Sequence, residues 1–401
     1  MNVKNYDFAV IGAGIVGLTV SWELVKKFPN SKIIILEKES SIGQHASGRN
    51  SGVLHSGIYY GSDTLKAQYC ASGSKKMQCF ADEHKINYQR NGKIIIATSD
   101  KDLLTLDSLL TNAKENGINA EKVNHQQIKE IEPYASPHEF GIYTPETAVI
   151  DSQEVLEKFR SLLTAKKVTF QHNFEIIGQN KEEQTIWSLN KKISYGHLFN
   201  CAGAHADNIA KMFNLGEEYT LVPFKGIYYK LASDRNYLVR SNIYPVPDTE
   251  VPFLGVHLTK VINGDIYVGP TAIPALGREN YGYLKGIQLS EAYCVTTQLI
   301  KMFHKNKQNF RSLVYSELRK YFKSWFYKSA KELVSSLKQT DLLASEKVGI
   351  RPQLVNTRTQ KIEMDFIIEQ DMHTTHVLNS ISPAFTSSLA LSEVIVRKAN
   401  L

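Results

Sequence analysis

The 401-residue sequence contains no run of 18 apolar residues, so no spanning helix is expected. It is poor in cysteine. Cys70, Cys79, Cys201 and Cys294 are scattered with no Cys-x-x-Cys pair, which argues against a metal ribbon or a disulfide framework and for thiols in a reducing compartment. No internal repeat and no low-complexity linker interrupts the chain. Acidic residues are scarce in one stretch only: Lys301 to Lys338 holds ten Lys or Arg against two Glu, enough to account for the whole formal charge of +7. The remainder is near neutral, so general nucleic-acid binding is a poor reading. The first apolar strand begins within eight residues of Met1, and a cytoplasmic, or already processed, chain is expected. The length suggests about two domains, and 42% hydrophobic with 22% charged residues is an ordinary soluble composition.

The chain is organised around its first forty residues. Phe8 to Ile11 reads as a buried strand, followed by Gly12, Gly14 and Gly17 in Gly-x-Gly-x-x-Gly spacing. Leu18 to Lys27 reads as a helix, and Ile33 to Leu36 as a second strand ending on Glu37. Each part has a dinucleotide-binding job. Gly12 makes the turn, Gly14 leaves room for a pyrophosphate, and Gly17 lets helix and strand pack. Glu37 can accept both hydroxyls of an adenosine ribose, with Lys38 beside it. The motif alone does not separate NAD from FAD. The Gly/Ser-rich loop over 40–57 can form an anion-binding nest and favours the longer FAD. Ser47, Arg49, Asn50, Ser51 and Gly52 in that loop are candidate cofactor contacts.

Further on, helices are predicted over Leu65–Glu83, over Asp100–Asn116 with Asp100 as cap, over 126–131, and from Asp151 to Ala165. Lys93–Ala97 reads as a strand, and Val168–His172, Phe174–Gly178 and Thr185–Leu189 as a small antiparallel meander. A second strand–Gly–helix unit over 195–213 places Ala202 and Gly203 at its turn, where the chain could return to the cofactor. Strand signals recur through 216–345, and a last helix is predicted from Pro383 to Lys398. The expected fold is α/β with an α+β substrate domain: a Rossmann-like FAD-binding domain (1–85, 145–215 and 346–401) interleaved with a second domain (86–144 and 216–345) built on a mixed or antiparallel sheet.

Three stretches make a family resemblance specific. They are the N-terminal unit, Gly48-Arg49-Asn50-Ser51-Gly52-Val53-Leu54-His55-Ser56-Gly57-Ile58-Tyr59-Tyr60, and Ser380-Ile381-Ser382-Pro383-Ala384-Phe385-Thr386-Ser387-Ser388-Leu389-Ala390. Together they resemble the L-2-hydroxyglutarate dehydrogenase/oxidase family of D-amino-acid-oxidase-like flavoproteins. Pro252 to His257, Gly269 to Ala272 and Ala275 to Glu279 are similar to its substrate-domain segments. Cys201, Pro352 and Ser392 depart from the family's usual Ala, Ala and Gly. The resemblance implies non-covalent FAD and oxidation of the C2 hydroxyl of L-2-hydroxyglutarate to 2-oxoglutarate. Electrons would pass to a quinone, to oxygen or to a carrier protein.

Such chemistry needs a group for the hydroxyl proton and partners for two carboxylates. His55 is the first candidate for the base or hydroxyl-orienting group, and a histidine that only bonds the cofactor loop is the other reading. Arg351 could hold a carboxylate or sit at the flavin's anionic edge; a surface ion pair is the alternative. His257 could face the site or be a satisfied core histidine. Tyr59, Tyr60 and Lys66 are candidate carboxylate contacts, although such residues commonly only pack. Ser382, Pro383 and Ala384 open the last helix, whose N-terminus could stabilise negative charge on the cofactor. The aromatic-studded basic block over 301–338 reads either as a peripheral contact with an anionic inner-membrane surface or as a solvated helical cap. Rival activities on the same scaffold are oxidation of an amino acid, sarcosine or glycerol 3-phosphate. A flavin-bearing binding or tRNA-modification protein and an NAD-dependent dehydrogenase are rivals from other classes.

Overall fold

Strand β1 (Lys4–Ile11) ends in four buried residues, and all four residues of β2 (Ile33–Leu36) are buried. Continuous apolar strands of this kind suit a parallel sheet covered on both faces. In the computed structural model, which describes residues 3–248 and 253–401, β1 is the centre of an eight-stranded sheet. It pairs in parallel with β2 on one side and with the strand Lys192–Asn200 on the other, Ile11 lying opposite Leu36 and Asn200. Helix α1 (Ile15–Lys27) follows β1 directly. It starts three residues earlier than its apolar pattern suggests, because Gly14 already serves as the N-cap. Helix α2 (Leu65–His84) and the last helix, Ala384–Lys398, pack on the same face, with α1, α2 and the last helix sharing one core with β1 and β2.

A short three-stranded sheet, formed by β3 (Val53–Leu54), β4 (Tyr88–Gln89) and Ala148–Ile150, adjoins this layer. The second large sheet has ten strands and is mixed. Its spine is the antiparallel pair Tyr219–Leu231 and Leu342–Asn356, which sets Arg351 opposite Phe224. Strand β5 (Lys93–Ile96) lies inside the same sheet, parallel to Asn242–Pro245 and antiparallel to Phe140–Thr144. The expected boundary between residues 345 and 346 falls within the strand Leu342–Asn356. Three helices, Leu289–Lys305, Phe310–Arg319 and Lys323–Leu333, cover this sheet through Met302, Phe310, Leu313, Phe326 and Leu333.

The expected α/β architecture, with a Rossmann-like layer and a mixed sheet, is what forms, and three local expectations need correction. Asp100 is not the helix cap. Ser99 takes that position in a capping box with Asp102, whose carboxylate accepts from the Ser99 amide, so the acid one turn in decides the start. The 168–189 stretch is not one meander. Thr169–Gln171 extends the parallel sheet beside β2, Phe174 and Ile176 are buried without strand pairing, and only Gly178–Asn180 and Thr185–Trp187 form a hairpin on Lys192–Asn200. The apolar run at Leu254 becomes a strand only from His257 to Lys260. Pro252 lies outside the described residues. Among the described residues no helix is long and apolar enough to cross a membrane.

Candidate active site

A cavity of about 490 Å³ lies between the two large sheets, at the carboxyl ends of β1, β2 and Lys192–Asn200. Open α/β sheets present their ligand crevice at this edge. Gly12, Gly14, Glu37, Lys38, Ser47 and the 201–205 turn line one end; Tyr228, Tyr244, Phe253, His257 and Arg351 line the side of the ten-stranded sheet.

The cofactor end fits a dinucleotide. Gly12 adopts φ +97, and a Cβ there would lie 2.5 Å from the Cys201 carbonyl oxygen. A Cβ on Gly17 would lie 2.0 Å from the Gly12 carbonyl oxygen, so this glycine stands behind the cavity and sets the helix–strand approach. A Cβ on Gly14 would meet only the Ser47 hydroxyl, at 2.9 Å, and would fill the cradle at the helix terminus. That hydroxyl accepts from the Ile15 amide at 2.9 Å. Glu37 is buried, its two oxygens accepting from the amides of Ala13 (2.8 Å) and Glu39 (3.0 Å), which leaves further lone pairs for a ribose. The first turn of α1 and the turn at Ala202–Gly203 border the same space, and the helix N-terminus favours negative charge there. These residues fit FAD.

The other cofactor candidates divide. Ser51, Ala202, Gly203, Ser382, Pro383 and Ala384 line the cavity. Asn50 also lines it while shaping the loop, donating to the Ser47 carbonyl (2.6 Å) and accepting from the Gly52 amide (2.8 Å). Gly52 does not line it; a Cβ there would strike the Ile150 carbonyl oxygen at 2.5 Å. Lys38 is held in an ion-pair cluster with Glu39 and Glu279, and Arg49 lies 4.3 Å over the Tyr281 ring. Both therefore face a loop that sequence reasoning did not connect with the cofactor. That loop, around 277–283, leaves the ten-stranded sheet and clasps the cofactor layer. Arg278 makes a buried bidentate pair with Asp207, and the Glu279 carboxylate also bonds His205 (3.0 Å). Tyr281 bonds His45 (2.8 Å). The Glu279 carboxyl is held down at about 2, first by its bond to His205 and then by Lys38, against the opposing effect of burial.

At the other end the charges are positive and largely unanswered. Arg351 projects from Leu342–Asn356, 4.9 Å over the Phe253 ring, and its Nε has no hydrogen-bond partner among the described residues. Pro352 does not break this strand; it pairs across from Pro223. His257 donates through Nδ1 to the Gly255 carbonyl (2.9 Å), which leaves Nε2 with a lone pair, and its ring stacks 3.9 Å from Tyr244. Burial pushes His257 down to about 4, with Lys93 adding to the effect, and His55 down to about 3, helped by Lys93, His257 and Arg351. Both imidazoles line the cavity and are neutral. Tyr59, Tyr60 and Lys66 do not line it. They stand behind Arg351 and His55, Lys66 lying 5.5 Å over the Tyr60 ring and lowered to about 7 by burial and then by Arg351. Tyr228, Tyr244 and Arg278 gave no local signal. Lys93 did give one, as the single cation opening an otherwise all-isoleucine strand.

Fold and site define a flavin-dependent oxidoreductase, and the model of the FAD dependent oxidoreductase family matches residues 7–398. The chain is 34% identical over 397 residues to an L-2-hydroxyglutarate dehydrogenase from Indibacter alkaliphilus, covering 98% of each. It is 35% identical to the mitochondrial L-2-hydroxyglutarate dehydrogenase of Dictyostelium discoideum, covering 98% of this chain and 92% of that one, and 32% identical to the Escherichia coli protein of that name (98% and 93%). The chain belongs to the L-2-hydroxyglutarate dehydrogenase family of FAD-dependent oxidoreductases. Its fold is that of the FAD-bound L-alpha-glycerophosphate oxidase of Mycoplasma pneumoniae, with a TM-score of 0.79 at 21% identity over 100% of this chain and 96% of that one. FAD is its cofactor.

Proposed function

We propose that this protein oxidises L-2-hydroxyglutarate at C2 to 2-oxoglutarate. The observation that carries this reading is the Arg351 guanidinium, its Nε without a partner among the described residues, at the end of the cavity that the His55 and His257 imidazoles also line, in a chain whose relatives bear that enzyme's name. FAD, when bound, supplies the two-electron acceptor for the hydride leaving C2. The chain's own residues do the rest. Arg351 pairs with a substrate carboxylate, and Lys66, backed by Tyr59 and Tyr60, adds positive potential for the second. His55 and His257 form the proton-accepting pair for the C2 hydroxyl, His257 through the free Nε2 that its bond to Gly255 leaves. The Ala384–Lys398 helix points its first turn, beginning at Ser382, Pro383 and Ala384, at the cavity and favours negative charge there. The cofactor lobe comprises 1–85, 145–215 and the chain after Asn356, and the substrate lobe 86–144 and 216–356, the expected change at 345/346 moving to the end of the strand Leu342–Asn356.

Electrons leave to a quinone at an anionic membrane surface. Tyr315, Phe322 and Trp325 are exposed among the lysines and arginines of 301–338, on the side of those helices turned away from the sheet. The protein would then be cytoplasmic and peripheral on the inner membrane face. Anaerobic absorbance of the flavin near 450 nm tests the reaction: L-2-hydroxyglutarate bleaches it and the D form does not. A bound flavin that neither isomer bleaches ends the assignment. Low-salt sedimentation with anionic vesicles tests the membrane contact, which is refuted if the protein stays in the supernatant.

A further inference from the structure

Lys93 is the first residue of β5 and is completely buried. No described residue accepts a hydrogen bond from its ammonium, which lies 4.5 Å from the Tyr59 ring centroid and 5.4 Å from that of Tyr244. The remaining residues of the strand, Ile94 to Ile96, are what a sheet interior favours. A buried, unpaired ammonium is strongly destabilising, and aromatic faces offset only part of that. Packing therefore gives no account of a lysine at this position.

Its surroundings do. Tyr244 stacks on His257, so Lys93 stands one aromatic layer from that imidazole. Among the described residues, the titratable groups acting on or facing it are His55 and Tyr59 after β3, Cys70 from α2, Tyr244 and His257, with Arg351 next to His55. None is acidic. Asp365, which acts on Lys66 and Tyr60 nearby, has its two oxygens bonded to the amides of Leu65 and Lys66. Like charges in a dry site disfavour one another, so a standing positive charge at Lys93 disfavours protonation of both histidines.

We propose that Lys93 is a positioning residue for the oxidation: from behind Tyr59 and Tyr244, its ammonium reinforces burial in keeping His55 and His257 in the neutral form that can take the substrate's hydroxyl proton. Lys93 does not line the cavity and does not touch the substrate. The role rests on the reaction proposed above, but the electrostatic part stands without it. Burial also lowers Lys93 itself, to about 7, so the charge is in place on the acid side of neutrality, where protonation of a histidine base is the threat.

The test uses the FAD-loaded enzyme with K93M, which keeps the length and removes the charge, and K93R, which keeps the charge. In K93M the acid limb of the kcat/KM profile should move up by about one pH unit, while K93R keeps the wild-type limb. K93M should also melt at or above the wild-type temperature, because an unpaired buried ammonium has gone. If K93M does not accumulate, K93Q carries the same comparison. An unmoved limb in the neutral variant overturns the proposal, as does a K93R limb displaced as far as that of K93M. A second readout needs no substrate: the imidazole NMR signals assigned through H55Q and H257Q should titrate at higher pH in K93M than in wild type. Should L-2-hydroxyglutarate fail to bleach the wild-type flavin, the reaction assignment falls, and these titrations still decide the role of Lys93.

Discussion

The three N-terminal glycines are placed so differently that alanine at each should fail in a different way. At Gly14 the new methyl meets only the Ser47 hydroxyl, 2.9 Å away, which can rotate aside. Rotation breaks its bond to the Ile15 amide, a loss of about 1 kcal/mol. The methyl itself then crowds the cradle by about 1–3 kcal/mol. The sum, about 2–4 kcal/mol, corresponds to roughly 30- to 1,000-fold weaker FAD binding. The apoprotein fold should survive, because no backbone atom is struck. At Gly17 the methyl would lie 2.0 Å from the Gly12 carbonyl oxygen, and nothing there can yield without parting α1 from β1. G17A should therefore be lost as folded protein. Quenching of flavin fluorescence on titrating FAD into apoprotein measures the first effect, and thermal unfolding the second. A G14A protein that binds FAD within threefold of wild type, or a G17A protein that melts normally, would refute the assignment of these roles.

Three further outcomes follow from the same geometry. R351M should lower kcat/KM for L-2-hydroxyglutarate roughly 30- to 1,000-fold, from about 2–4 kcal/mol lost with a charge-assisted contact, without changing FAD affinity; steady-state kinetics beside flavin titration checks it, and an unchanged kcat/KM removes Arg351 from the substrate site. Lys66 and Lys93 are both lowered to about 7 in the fold, so between pH 7 and about 10 the unfolded chain binds more protons than the native one and stability rises with pH. Melting of apoprotein across pH 7–9.5 should show that rise, with a smaller slope in K93M, and a flat or falling curve contradicts it. D207A removes the bidentate partner of the buried Arg278 guanidinium, leaving it Glu291 and the Ala204 carbonyl, and should cost about 2–3 kcal/mol, seen as a lower chemical-denaturation midpoint.

The cofactor layer was legible because its determinants are local. Gly12, Gly14, Gly17 and Glu37 sit within twenty-six residues, and each does a job fixed by backbone geometry. The alternation and caps of single elements were nearly as readable, apart from Asp100: Ser99 and Asp100 are both capping types, and only the box with Asp102 selects Ser99. Pairing partners were not readable. Thr169–Gln171 has the same local composition whether it turns back on a neighbour or lies parallel to β2, and the choice is made by the sheet edge. The substrate end was visible as residue types and hidden as a group. His55, Tyr244, His257 and Arg351 come from four segments, brought together by the Tyr219–Leu231 and Leu342–Asn356 pair. The clasp at Arg278 was illegible for the same reason: Asp207 lies 71 residues away.

That clasp bears on how often the enzyme can change its flavin. To free a dinucleotide beneath it, the loop must give up the Asp207–Arg278 pair, the Lys38–Glu279 pair and the His45–Tyr281 bond together. Exchange through this loop is then expected to be slow, as for a resident prosthetic group and unlike a diffusing co-substrate such as NAD. A resident redox group must be reoxidised where it sits, so the second half of each catalytic cycle is tied to whatever can approach this face of the protein. The loop continues into Tyr283, Leu284, Leu289 and Tyr293, all strongly exposed. The same segment thus joins the flavin's enclosure to an outward-facing apolar rim, so a change in the exposed part of the loop is felt at the ion pairs that close over the cofactor.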